Sequence, residues 1–397
     1  MLIRIVPKAD MVNNLGMAID HKNFTFIFSV LVLFFFLFGL TVSVTDQQVV
    51  VQNHGSEGHS PSKLFLFGDS YLDTGNNNFT VRCWKFPYGM AVPGVPTGRY
   101  SDGLIFTDFL ASFMGIDTPL PYTKWNNLSK RRVTNGMNFA HGGTGVFDTW
   151  MKEGNMTTQM NAFKQYIADG VYNKSDLNES IAVVSNAGND YTQYYAVDNG
   201  THEGYRAFVA KVIDQLELNL REIRKTGVKK VVMLTMQPLG CLPNEARTLS
   251  YKKCDKHLNG DTSFHNTLLE KIVQRLNSET TDSPFHILDL YSAFMSVINK
   301  QAGEGTSSEF VKPLLKPCCT PTALNALCGS VDANGVKQYT LCANPNDNLF
   351  WDLYHPTQSG WHTISSALKP SFDELMQCNI FSRRPSASAS FGSGNKY

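Results

Sequence analysis

The sequence predicts an α/β protein, a parallel sheet with helices on both faces folded as one domain. Short apolar runs closed by Gly, Asn or Asp alternate about five times with amphipathic helical stretches. No internal repeat of solenoid period interrupts that alternation. With 42% apolar and 17% charged residues in 397, the chain has ample material for a core.

The first strand signal, Leu64-Phe65-Leu66-Phe67, ends abruptly in Gly68-Asp69-Ser70 and then in the turn-rich Asp73-Thr74-Gly75-Asn76. Ligands in open α/β sheets bind beyond the carboxyl ends of the strands, which places Ser70 for chemistry. A turn serine is the plain alternative, and Asp69 and Asp73 read as turn formers bonded to backbone amides. Residues 86–103 are punctuated by Gly and Pro and predict a long loop over the site. Residues 104–114 present an apolar helical face that closes at Gly115, a natural left-handed cap.

Residues 134–148 are a strand-like approach into a glycine-rich loop, where the backbone can come close to a ligand. A helix over about 157–169 leads to a buried strand at 181–184 that ends in Gly188-Asn189-Asp190. Residues 204–226 form the clearest amphipathic helix, with Phe208, Val212, Leu216 and Leu220 at every fourth position. A strand over 228–243 breaking at Pro238, a helix over 258–276, a last strand at 285–291 and a closing helix to about Met376 complete the pattern. Turn clusters after residues 67, 139, 184 and 290 or later then gather on one sheet edge.

The ends carry other messages. Residues 24–44 hold no charge and fit a secretory leader cleaved near Val44, or else an uncleaved membrane anchor. Residues 1–44 are assigned to that segment, 45–61 to a linker, 62–378 to the folded domain and 379–397 to a low-complexity tail. Sequons at Asn78, Asn127, Asn155, Asn173, Asn178 and Asn199 suit a glycosylated secreted chain. The 8 cysteines, with Cys318, Cys319, Cys328 and Cys342 in one stretch and Cys241 close to Cys254, read as loop staples of an oxidising compartment. Their spacing does not form the paired pattern of a zinc site. Lys+Arg 35 balance Asp+Glu 34 without a basic stripe, which argues against nucleic acid.

Acyl transfer to water needs a nucleophile, a base, a group that fixes the base's tautomer, and donors for the oxyanion. Asp352 and His355 lie three apart in WDLYHPT, so one turn can set carboxylate beside imidazole. With Ser70 as nucleophile, the amides of Ser70 and Gly143 and the side chain of Asn189 supply the oxyanion donors. The histidine rivals are His141, read as lining the cleft, and His362, read as a surface or packing residue.

GDSYLDTGN, NFAHGGTG, AGNDY and WDLYHPT, in this order, resemble the four blocks of the plant GDSL esterase/lipase family within the SGNH-hydrolase superfamily. TGRYSDG, QPLGCLP and the Cys-Cys stretch are similar to further segments of the plant branch. The resemblance spans about residues 62–376. It assigns the nucleophile to Ser70, the oxyanion glycine to Gly143 with Gly142 as the alternative, the oxyanion asparagine to Asn189, and the acid and base to Asp352 and His355.

The resemblance implies a flavodoxin-like, three-layer α/β/α sandwich with a mostly parallel five-stranded sheet. It also implies a secreted, metal- and cofactor-free hydrolase of carboxylic esters, acyl lipids or small acyl esters, and a monomer is the default expectation. Membrane contact would come only through an uncleaved N-terminal segment. Two other readings use the same residues or fold: an acyltransferase or polysaccharide deacetylase, and a catalytically silent binding protein.

Overall fold

A strand covered on both faces must be apolar throughout, and Leu64, Phe65, Leu66 and Phe67 are all fully buried. The computed structural model describes residues 61–127, 133–151, 154–196, 198–303, 315–323 and 325–377. The expected leader or anchor over 1–44, the linker up to residue 60 and the tail over 379–397 lie outside them. The main sheet consists of β1 (Lys63–Phe67), β2 (Leu120–Pro121), β3 (Gly136–Asn138), β4 (Ser180–Val184), β5 (Lys230–Leu234) and β6 (Phe285–Leu288). All pairings are parallel, in the order β2-β3-β1-β4-β5-β6, with Leu64 beside Gly136 on one side and Ile181 on the other.

The sheet has six strands rather than the five that the sequence predicts. The addition is β2, two residues at the edge, too short to show a period and ending in a proline that only an edge tolerates.

Among the described residues the helices are α1 (Phe106–Met114), α2 (Met156–Ala168), α3 (Lys174–Asn178), α4 (Asn189–Ala196), α5 (His202–Lys225), α6 (Pro243–Ala246), α7 (Lys256–Ser278), α8 (Leu290–Gly303) and α9 (Gln358–Gln377). The chain leaves β1 for β2 and β3 on one side, then passes back to β4, β5 and β6 on the other. Right-handed crossovers therefore put α1 on one face and α2, α5 and α7 on the opposite one. Helices α1 and α8 pack on α9, while α2 and α7 pack on α5. In α5 the buried Val212, Leu216 and Leu220 form the expected stripe, and α1 closes at Gly115 with φ +67.

Four helices are not in the sequence reading, the short α3 and α6 and the longer α4 and α8. Helix α4 is rich in tyrosine and carries little helical signal of its own. Helix α8 begins inside the segment predicted as the last strand, because Asp289 caps it, accepting from the Ser292 amide at 3.1 Å, so β6 ends at Leu288. The cysteine-rich loop contains an antiparallel pair, β7 (Cys319–Pro321) and β8 (Tyr339–Leu341). Disulfides Cys318–Cys342 and Cys319–Cys328 staple it, and Cys241–Cys254 closes the third loop. Cys83 is buried as a free thiol.

Gly136 sits in β3 at φ +99, where an added Cβ would stand 2.1 Å from the Leu64 carbonyl oxygen of the paired strand. Replacing Gly136 with Ala should cost about 3 kcal/mol or more of stability, through backbone strain and overlap with main chain that has no room to move. Urea unfolding checks this, and a loss below about 1 kcal/mol would mean that the strands can separate locally.

Candidate active site

The chain's direction reverses between β1 and β4, and the loops leaving these strands open the crevice that holds Ser70. Gly68 turns the chain out of β1 at φ +134, where a Cβ would lie 2.5 Å from the Ser185 carbonyl oxygen. Asp69 is buried beneath the serine. One of its oxygens accepts from the Tyr71 amide at 3.1 Å and the Ser185 hydroxyl at 3.2 Å, the other from the Ala187 amide at 2.5 Å. Burial pushes its carboxyl upward, against the pull of those bonds. Asp73 accepts from the amides of Gly75 and Asn76 at 2.8 and 2.6 Å and, through its other oxygen, from the Gly142 amide at 2.8 Å. Both aspartates shape loops, and Asp73 also ties the serine's loop to the glycine loop after β3.

Asp352 and His355 come from the tight turn that precedes α9. Asp352 Oδ1 accepts from the amides of Tyr354 and His355, each at 2.9 Å, and lies 2.8 Å from the imidazole Nδ1. Imidazole Nε2 is 2.7 Å from Ser70 Oγ. Hydroxyl, imidazole and carboxylate thus form one hydrogen-bonded chain. Burial by itself would raise the Asp352 carboxyl, but the imidazole, then the Arg82 guanidinium at 3.8 Å and the Tyr354 amide, hold it well below the usual carboxylate range.

The loop over 86–103 grips this turn from behind. The buried Tyr88 donates its hydroxyl to Asp352 Oδ2 at 2.7 Å, and the Tyr100 ring stacks on His355 with centroids 4.9 Å apart. Ser101 donates to the Pro356 carbonyl at 3.0 Å, and Asp102 accepts from the Gln358 amide at 2.7 Å, at the start of α9. Of this loop, Tyr100 lines the cleft.

The glycine loop forms the third wall. Because the Gly142 amide is committed to Asp73, the two glycines that the sequence leaves open differ in kind. The amides of Gly143 and Ser70 have no hydrogen-bond partner among the described residues, and Gly143 adopts φ +88. Asn189 donates one side-chain hydrogen to the Thr144 carbonyl at 2.9 Å, which leaves the second free. Asp190 accepts from the amides of Val146 and Phe147, each at 2.9 Å. Gln159 accepts from the Gly68 amide and donates to the Gly68 carbonyl, both at 2.7 Å, and donates to the Thr144 hydroxyl at 3.0 Å.

Ser70, Gly143, Asn189 and His355 share a cleft of about 670 Å³, otherwise lined largely by aromatic and aliphatic side chains such as Trp150, Tyr191, Leu239 and Leu242. His141, expected to line it, faces instead a shallower recess with Asn77, Tyr122 and Lys124, because the chain turns between it and Gly143. His362 is exposed on α9, edge-on to Phe109 at 5.7 Å. Among the described residues, no group of three or more His, Cys, Asp or Glu is placed to hold a metal ion.

The family profile described as GDSL-like Lipase/Acylhydrolase matches residues 64–368, from β1 into α9. The chain belongs to that family. GDSL esterase/lipase At5g03610 of Arabidopsis thaliana is 46% identical over 322 residues, which cover 81% of this chain and 89% of the relative. GDSL esterase/lipase At3g09930 of the same plant is 45% identical over 313 residues, covering 78% and 87% respectively. GDSL esterase/lipase At2g36325, also from Arabidopsis thaliana, is 40% identical over 352 residues, covering 87% and 96%. As a GDSL esterase/lipase, the protein is a carboxylic ester hydrolase.

Sequence reading gives no partner to Tyr88, Tyr100, Arg82, Gln159 or Asp190, although all five shape this GDSL site. Their contacts join residues far apart in the chain, 264 positions in the case of Tyr88 and Asp352, and no local period carries such a signal. Tyr88→Phe should lower kcat about tenfold, the worth of one hydrogen bond to a charged group, while KM holds. Steady-state kinetics separate this from a binding role, which would raise KM.

Burial pushes the Asp190 carboxyl up to about 6, so the folded protein binds this proton more tightly than the unfolded chain. Its contribution to stability is therefore greatest below pH 4 and falls as pH rises toward 6. Relative to Asp190→Asn, the native protein should lose about 3 kcal/mol across that window. Denaturant unfolding at several pH values measures the difference, and a flat difference would contradict the assignment.

Proposed function

We propose that the protein hydrolyses carboxylic esters through an acyl-enzyme on Ser70. The observation that carries this reading is the unbroken chain from Ser70 Oγ through His355 to Asp352, with steps of 2.7 and 2.8 Å, facing unspent amide donors. Ser70 Oγ attacks the ester carbonyl while His355 Nε2 takes its proton. The Asp352 carboxylate holds the imidazole in the tautomer with Nδ1 protonated and stabilises the imidazolium that forms. The developing oxyanion is bound by the amides of Ser70 and Gly143 and the free hydrogen of Asn189. The tetrahedral intermediate collapses as His355 returns the proton to the leaving alcohol. Water then repeats the sequence on the acyl group.

The mostly apolar cleft supports acyl lipids or small acyl esters as substrates. Three disulfides support passage through an oxidising compartment, and hence secretion, with removal of the N-terminal leader. Asn78, Asn173, Asn178 and Asn199 are exposed and Asn155 is half-buried, so these sequons offer accessible side chains for glycosylation. The side chain of Asn127 lies outside the described residues. The protein acts as a monomer in this reading.

Ser70→Ala, folded by circular dichroism, should lose at least about 10³-fold in kcat on short p-nitrophenyl esters. Asn189→Ala should lose about 10²–10³-fold with the nucleophile intact. Undiminished hydrolysis by Ser70→Ala would remove the serine from the mechanism.

A further inference from the structure

Arg82 lines the cleft beside the acid–base pair, yet its guanidinium makes no hydrogen bond among the described residues. Its side chain is only 25% exposed, and Nε is buried without a partner. Asp352 Oδ2 lies 3.8 Å away, beyond hydrogen-bonding range, and that carboxylate is already bonded to His355, Tyr88 and two backbone amides. Its other neighbours are the phenols of Tyr88 and Tyr354 and the Tyr100 ring, whose centre lies 5.6 Å from the guanidinium carbon and which stacks on His355. A guanidinium carries five N–H donors in a planar fork suited to carboxylate and phosphate, and holding them largely out of water without acceptors is costly.

We propose that Arg82 binds an anionic group, a carboxylate or phosphate, carried by the alcohol half of the ester. Arg82 can act in this way only if Ser70 is the nucleophile proposed above. His355 returns its proton to the leaving alcohol, so the alcohol oxygen departs on the imidazole side, and Tyr100 and Arg82 continue that side of the cleft. The acyl oxygen points the other way, toward Gly143 and Asn189. The other charged groups of the cleft are Glu245, which accepts from Asn244 at 2.7 Å, and the exposed Arg247.

The test compares 4-acetoxybenzoate and 4-acetoxyphenyl phosphate with the neutral methyl 4-acetoxybenzoate, following release of the phenol. The native enzyme should favour one or both anionic esters over the neutral ester by about tenfold or more in kcat/KM at low ionic strength, and salt should shrink the preference. The two anionic substrates distinguish carboxylate from phosphate. Arg82→Gln should cut the anionic-to-neutral ratio about tenfold, Arg82→Lys should restore part of it, and Arg247→Gln should leave the ratio near the native value. A native enzyme with no preference, or an Arg82→Gln variant in which all three esters fall together, would overturn the assignment. A ratio that follows Arg247 instead would do the same. If the Arg82 variants do not fold, the native preference and its survival in Arg247→Gln together decide the matter. Labelling of Ser70 by a fluorophosphonate in the native enzyme separates the two failures: labelled serine without anion preference removes Arg82's role alone, whereas unlabelled serine removes the nucleophile.

Discussion

An ionised carboxylate has been taken out of water at Asp352, and much of the site follows from keeping it charged there. Desolvation opposes the charge, so every acceptor position must be met by a donor. Two backbone amides and the imidazole meet Oδ1, while the Tyr88 hydroxyl meets Oδ2, with Arg82 nearby. Three of these donors come from the same short turn as the carboxylate, and the hydroxyl comes from a loop far away in sequence. The Gly/Pro-rich segment over 86–103 therefore serves as much to fix the charge of the acid as to shape the cleft. Its further bonds, from Ser101 to Pro356 and from the Gln358 amide to Asp102, hold the turn against the first residues of α9.

The opposite wall is held by the same physics with the roles reversed. There the backbone supplies many donors, and buried acceptors take up several of them. Asp73 takes the Gly142 amide, Asp190 takes those of Val146 and Phe147, and Gln159 takes that of Gly68. Among the described residues the amides of Ser70 and Gly143 and one hydrogen of Asn189 are without partners, and all three residues line the cleft. Preorganised donors of this kind need no rearrangement when charge develops on a substrate oxygen. The sheet makes the arrangement possible, because the reversal of chain direction beside β1 brings loops from β1, β3 and β4 to one edge.

Much of this fold was legible in the sequence where local period is strong. The buried run of β1, the every-fourth-residue stripe of α5 and the glycine cap of α1 each declare themselves over a few residues. Elements whose signal is overruled by neighbours were not legible: β2 is two residues long, and α8 is separated from its preceding strand by one capping aspartate. The site divides along the same line. Ser70, Gly143, Asn189, Asp352 and His355 stand in short, ordered blocks of sequence. The residues that support them, Tyr88, Gln159 and Arg82, act across long sequence separations through single contacts, and a tyrosine in a glycine-rich loop does not announce which way it faces. His141 is the converse case, conspicuous beside the glycine loop yet turned toward another recess.

In the proposed mechanism the acyl group of the substrate is carried covalently on Ser70. Acid-quenching the enzyme during turnover of a slowly hydrolysed p-nitrophenyl ester, followed by peptide mapping by mass spectrometry, tests it directly. An added acyl mass on the peptide that contains residues 68–72, at Ser70, should appear with a matching burst of p-nitrophenol. A burst with the acyl group on another residue would contradict it, as would sustained turnover with no acylated peptide at any quench time.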